Sequence, residues 1–352
     1  MNATYTSNNR LLELAFRVYA VAAYVFLYLP ILIVVVFAFN DSKSVQAWAG
    51  FTTNWFATAW QDTSIQSGLR NSLIVASSNM VLAVTLGTLL AIGLRKSPRL
   101  LVTIFIAVMY MTIISPEIVT GLSSLLFFVQ AGKALGIKNI LGIFSIVATH
   151  AVWTSALVAL IVRARMAGLD DSLDEASADL GATPWTTFWS VTIPLLLPAI
   201  IAGGLLAFTF SFDDYVITQF VSGPQSSTLP IRIWGMVRFG VSPIVNAVAT
   251  VILFFTLTSV FFAQYILTNE HASPRPLLAW FAIVVGSALY GVGPAQSFWN
   301  GLTGLEGITG FVTFLLVWMA ALIGFLLCRA PRAPSASCRA LESRCAMNAA
   351  RA

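Results

Sequence analysis

The feature that most limits this chain is a recurrence of long stretches with no charged residue. They cover 18–40, 71–94, 100–116, 139–162, 180–212 and 240–269, then 276–305 and 307–328. A helix of about 20 apolar residues crosses the hydrocarbon core of a bilayer, and it satisfies its own backbone while doing so. Only 9% of the residues are charged and 58% are hydrophobic. A soluble domain carries about 25% charged residues, so this chain cannot dress a water-facing surface of its size. The expected fold is an all-α membrane protein with the lipid bilayer as its solvent. The formal net charge of +5 fits cytoplasmic loops better than nucleic acid, and no nucleic-acid partner is expected.

Several segments need separate treatment. The first window is too long for a signal-peptide core and lacks a convincing cleavage site, so it is expected to remain as a spanning helix. The stretch 118–132 is apolar but short. It either continues the third helix after a break at Pro116 or forms a re-entrant piece. Pro194 and Pro198 are expected to mark the start of a helix rather than its middle. The cysteines, Cys328, Cys338 and Cys345, have no CxxC or Cys/His spacing, which supports neither a disulfide framework nor a zinc site.

Counting basic residues orients the bundle. With the N-terminus in the cytoplasm and sides alternating, the cytoplasmic side holds thirteen Lys and Arg residues and the far side six. The excess favours this topology. Without Arg275 and the five arginines after Cys328 the split is seven to six. The short loop from Arg95 to Arg99 and the pair Arg163/Arg165 then carry the bias. Loops 41–70 and 213–239 fall outside and the segment 170–190 falls in the cytoplasm.

That segment is acidic in a chain short of acids, with five of the fourteen between Asp170 and Asp179. Asp170, Asp171 or Ser172 can cap a helix start, and acids in the first turn suit the positive end of the helix dipole. Leu173, Ala176, Ser177 and Leu180 recur at helical spacing and make one small, mostly apolar face. Gly181 ends the helix, and Thr183-Pro184 begins another with Thr as cap and Pro at its first position. Trp185, Phe188 and Trp189 give that second helix an aromatic face. This much describes either an ordinary connector or a docking device.

Glu175-Ala176-Ser177, three residues, Gly181, nine residues, then Val191-Thr192-Ile193-Pro194 resembles the EAA loop of ABC importer permeases. Ser stands where that pattern has Ala, and Val and Ile replace Ile and Leu. The resemblance implies a coupling helix docked on an ATP-binding subunit. Glu175 would pair with a basic residue there, Gly181 would allow the bend, and Asp174, Ala176, Asp179 and Pro194 would share the coupling surface. Further stretches, "FTTNWFATAW" at 51–60, "SPEIVTGLSSLLFF" at 115–128, "SFDDYVITQFVSGP" at 211–224 and "LPIRIWGMVRFGVSPIVNAVAT" at 229–250, resemble the polyamine (spermidine/putrescine) permeases within that family. The likeness covers about residues 10–270. It implies a six-helix type I (MetI-like) permease bundle in the inner membrane over 16–270, after a cytoplasmic N-terminus at 1–15. The implied partners are a sister permease, ATP-binding subunits and a periplasmic binding protein.

Residues 271–352 lie outside the likeness. Two extra C-terminal transmembrane helices are expected over 271–328, with a disordered basic tail over 329–352.

Three acids sit where ionisable groups are costly, and such groups usually face a cavity or a partner. They are Glu117, beside Pro116, and Asp213 and Asp214, after a long charge-free window. They line a path for a cationic cargo or act as caps, and Tyr215, Trp234 and Phe239 would add cation–π contacts. Arg232 and Arg238 either meet a docked binding protein or pair with Asp213 or Asp214. Lys133 and Lys138 are expected to be solvated. His150 and Asn79 are expected to hydrogen-bond between helices. No G-x-x-x-x-G-K-[ST] occurs, so ATP and magnesium are expected on a partner chain, with no cofactor and no catalytic residue in this one. The remaining alternatives are a permease for another small solute, such as a phosphonate or an iron complex, and a stand-alone secondary transporter.

Overall fold

The computed structural model describes residues 3–42, 47–95, 97–170, 172–240 and 242–268. The two helices expected at 271–328 and the tail at 329–352 lie outside the described residues, as does Asp171. Among the described residues the chain is helical, with a single isolated β-bridge between Asn40 and Phe51. Among the described residues, six helical segments are long and apolar enough to cross a membrane.

The centre is built from three helices, α3 (Thr63–Arg95), α6 (Ile143–Met166) and α9 (Ile193–Asp213). Helices in lipid gain little from the hydrophobic effect, so they associate through close packing and interhelical hydrogen bonds. Small residues permit the approach here. A Cβ on Gly87 would lie 2.7 Å from the Ser155 carbonyl oxygen, and one on Gly204 would lie 2.8 Å from Val84. Ala83, Ala159, Ala202 and Ala207 are fully buried around these crossings. A polar joint crosses the same interior. Asn79 donates to the Ala207 carbonyl at 3.1 Å and accepts from Thr154 at 2.9 Å, which bears out the packing role expected of Asn79.

The remaining elements surround this core. Helix α1 (Ala3–Phe37) packs on α12 (Pro243–Thr268), and among the described residues none of its membrane-length portion is buried. Just beyond it, Asn40 pins the outer loop. Its side chain donates to the Ala47 carbonyl and accepts from the Ala49 N–H, and its own carbonyl accepts from the Trp55 indole. That indole belongs to α2 (Asn54–Gln61).

Helices α4 (Arg99–Ile114) and α5 (Glu117–Leu135) are separated by Ser115 and Pro116. Met109 packs with Ala156 and Ala159, Glu117 borders a cavity with His150 and Trp153, and Phe128 meets Phe144. The contacts advance steadily and antiparallel along α6. Of the two alternatives for 118–132, the chain takes the continuation past Pro116 and not the re-entrant turn.

The proline expectation needs correction. Pro194 does lie in the first turn of α9, but Pro198 lies inside it. No loop precedes them. The chain is helical from α8 (Pro184–Thr187) through a π-helical segment, Phe188–Thr192, into α9. Pro194 has no N–H to give the carbonyl four residues back, and its ring crowds that carbonyl. The wider π turn relieves this, with the Ile193 N–H bonding the Phe188 carbonyl.

Candidate functional site

The acidic segment forms α7 (Ser172–Asp179). Asp170 supplies the cap by accepting the Ser172 N–H at 2.9 Å, and this hydrogen bond holds its carboxyl below the ordinary carboxylate range. The C-terminus closes as a Schellman turn, with the Gly181 N–H bonding the Ala178 carbonyl and the Ala182 N–H bonding the Ser177 carbonyl. Gly181 carries the required left-handed φ of 78°. Thr183 then caps α8, accepting from the Thr186 N–H, and Pro184 opens that helix.

Asp174 and Ser177 tie α7 to its surroundings. Asp174 pairs with Arg95, the last residue of α3, at 3.0 Å, and the Ser177 hydroxyl meets that of Thr187 at 2.8 Å. The expected single face of Leu173, Ala176, Ser177 and Leu180 is therefore divided. Ser177 turns inward because its hydroxyl finds a partner there. Ala176 remains exposed, as do Glu175 and Asp179. Leu180 is 88% exposed and Trp185 70%. Trp185 stacks on Phe188 at 5.9 Å, yet like Leu180 it leaves most of its apolar surface uncovered among the described residues.

The other acids lie toward the N-terminal half of α3, where Val75 packs with Ile146 and Ile217. Its N-terminal part meets α11 (Leu229–Arg238), where the Leu229 N–H bonds Ser72 and the position of a Gly68 Cβ is 3.1 Å from Arg232 Cγ. At 1.5 Å per residue, Gly68 and Arg95 stand about 40 Å apart. The cavity described next lies between them, since Thr154 on its wall bonds Asn79, about 24 Å along α3 from Arg95.

Here His150, 3% exposed, joins three elements. Its Nδ1 lies 2.8 Å from the Ser211 hydroxyl of α9. Its Nε2 lies 3.2 Å from Asp214 Oδ2 and 3.2 Å from Thr218 Oγ1, on α10 (Val216–Val221). Asp214 Oδ2 also accepts the Thr218 N–H and hydroxyl, both at 2.7 Å. A cavity of about 30 Å³ is lined by Glu117, His150, Trp153, Thr154, Phe210, Ser211, Asp214 and Ile217. That is room for one or two water-sized groups. Trp153 and Phe210 meet edge to face at 5.1 Å. Beside it, Tyr215 and Trp234 approach to 5.2 Å.

The structure therefore brings Glu117 and Asp214 to one cavity, and Tyr215 to Trp234. Asp213 is exposed at the end of α9. Among the described residues, the ion partner of Asp214 is His150, not Arg232 or Arg238. Arg238 is exposed and Arg232 half-buried. His150 does bond between helices as expected, but its partnership with Asp214 was not anticipated, nor were Ser211, Thr218, Trp153 and Phe210. The signal available was spacing. His150 and Thr154 share one helix face, and Ser211, Asp214 and Thr218 recur at three and four residues.

Residues 83–269 match the family described as the binding-protein-dependent transport system inner membrane component. This chain belongs to that family. It is a multi-pass membrane transport component, and its six apolar segments agree with that. It is 42% identical over 231 residues to the putrescine transport system permease protein PotI of Escherichia coli (strain K12), covering 65% of this chain and 82% of that protein. It is 36% identical over 254 residues to the spermidine/putrescine transport system permease protein PotC of the same strain, covering 71% and 92%. The PotC protein of Haemophilus influenzae is 35% identical over 250 residues, covering 70% and 95%. A chain in the crystal structure of a bacterial ABC transporter that imports the acidic polysaccharide alginate shares the permease fold. The TM-score is 0.59 at 15% identity, over 75% of this chain and 98% of that one.

Proposed function

We propose that this permease passes spermidine or putrescine from a periplasmic binding protein into the cytoplasm, driven by ATP hydrolysis on separate subunits. The carrying observation is the cavity in which Glu117 and Asp214 meet the aromatic pair Trp153 and Phe210. Polyamines are flexible polycations, and carboxylates beside aromatic rings suit an ammonium group through charge and cation–π attraction. The similarity to PotI and PotC supports the same cargo.

The proposed orientation places the N-terminus and α7 in the cytoplasm and 213–239 outside. ATP and magnesium bind the partner ATPase, where Glu175, Ala176, Asp179 and Leu180 dock. Closure of the two ATPase subunits moves α7, and the Asp174–Arg95 pair hands that motion to the inner end of α3. The bundle, paired with a sister permease, opens toward the loaded binding protein, for which Arg232 and Arg238 are the candidate contacts. Hydrolysis resets it. A switch of this kind requires ligand contacts that differ between the two states.

The test is uptake of labelled putrescine and spermidine by cells that lack their own polyamine importers and co-express all partner subunits. Uptake of either polyamine is expected. Uptake of neither, with transport of a phosphonate or an iron complex instead, would overturn the cargo. Transport without a co-purifying ATPase would point to a stand-alone transporter.

A further inference from the structure

We propose that His150 is a positioning residue for the cationic cargo, one that fixes Asp214 so that a single carboxylate oxygen is left to meet an ammonium group. This deepens the polyamine reading and rests on it. The two oxygens of Asp214 are used unequally. Oδ2 takes the Thr218 N–H at 2.7 Å, the Thr218 hydroxyl at 2.7 Å and His150 Nε2 at 3.2 Å. Among the described residues, Oδ1 has only a long contact from the Ile217 N–H at 3.4 Å. A carboxylate oxygen has two lone-pair sites, so Oδ2 is saturated and Oδ1 retains capacity.

The ring is itself held at both nitrogens. The Ser211 hydroxyl at Nδ1 and the Asp214 carboxylate at Nε2 fix the ring's orientation from both sides. Asp214 and His150 both line the cavity, together with Glu117, Trp153 and Phe210. The cavity admits a group the size of an ammonium, and its walls are the acids and ring faces such a group requires. Asp213, next in sequence, has no comparable holder and stands exposed.

The experiment uses the complete transporter in proteoliposomes, with binding protein and labelled putrescine or spermidine. Uptake and stimulated ATP hydrolysis are measured on the same assembled complexes. His150→Ala is expected to lower uptake about tenfold, the scale of one hydrogen bond to a charged group, with hydrolysis changed about twofold or less. His150→Gln, which keeps an N–H donor, is expected to restore most of the uptake. In an Asp214→Asn background, His150→Ala is expected to add little. Uptake and hydrolysis falling in proportion, no rescue by Gln, or additive losses would each overturn the proposal in favour of a purely structural histidine. Should His150→Ala fail to assemble, His150→Gln retaining uptake while Asp214→Asn loses it supports the proposal, and the reverse order overturns it. Wild-type complexes that hydrolyse ATP but import neither polyamine would instead sink the cargo reading, and this proposal with it.

Discussion

The C-terminal end of α3 and its middle treat their polar side chains in opposite ways. Near Arg95, α7 is anchored through Asp174 and Ser177 and leaves Glu175, Asp179 and Leu180 exposed. From Asn79, midway along α3, and across α6 to α10, a set of polar groups is turned inward and bonded together. Asn79, Thr154, His150, Ser211 and Thr218 are all buried with partners. An interior polar group left unmade is expensive, so a saturated cluster reads as a joint that must hold its shape. A surface that leaves a leucine almost wholly exposed reads as one half of an interface. The comparison predicts distinct kinds of damage. Changes near α7 should impair coupling while the protein accumulates normally, and changes at the Asn79–Thr154 joint should lower its amount.

The largest effect is expected at Glu175. Glu175→Arg reverses the charge of an exposed side chain, so the fold has little reason to object. Uptake should fall more than about tenfold, because a like-charge contact at a docking surface costs several kcal/mol. Co-purification of the ATPase should weaken with it, at unchanged membrane level. Normal ATPase recovery alongside lost uptake would break the assignment of α7 as the docking face.

Asn79→Ala should act in the other way. It removes partners of Thr154 and of the Ala207 carbonyl where three helices cross. Interhelical hydrogen bonds in membranes contribute about 0.6–2 kcal/mol, so the protein level and thermal stability should drop while uptake per molecule holds. A thermal-shift measurement in detergent checks this. A stable Asn79→Ala protein with poor uptake would mean that the joint serves transport directly.

How much of this was legible in the sequence follows the same division. The spanning helices were, because lipid demands long apolar runs and few residues can supply them. So were the Gly181 bend and the Thr183-Pro184 start, where one residue type fits one backbone geometry. The His150–Asp214 partnership was not, because it joins residues 64 apart on elements whose relative rotation the sequence does not state. The π segment ahead of Pro194 was hidden for a related reason. Proline signals a problem for the helix, and either a loop or a widened turn can solve it. The inward turn of Ser177 depended on Thr187 being within reach, which only the closed loop reveals.

A smaller effect is expected from Gly181→Val. A Cβ there would meet nothing within 4 Å, so no clash arises. The cost is conformational, about 1–2 kcal/mol for a side chain held at left-handed φ, and more for a β-branched one. The Schellman turn should fray and α7 should lose its angle to α8. Uptake per ATP hydrolysed should drop a few-fold with insertion intact. Unchanged coupling would show that the bend is not required.

The smallest effect concerns the link between the two regions. The Arg95–Asp174 pair is partly exposed, 23% and 30% at the side chains, and such pairs contribute about 0.2–1 kcal/mol. Breaking it with Asp174→Asn should therefore barely change stability. Its proposed role is geometric, since it is the direct tie from α7 to α3, so the expected loss is in coupling. The swap Arg95→Asp with Asp174→Arg should recover coupling that either single change loses, measured as uptake per ATP in a double-mutant cycle. If the swap is no better than the two losses added, α7 must reach the bundle through Ser177–Thr187 and α8 instead. Motion would then enter through α9 and its π segment, leaving α3 to follow.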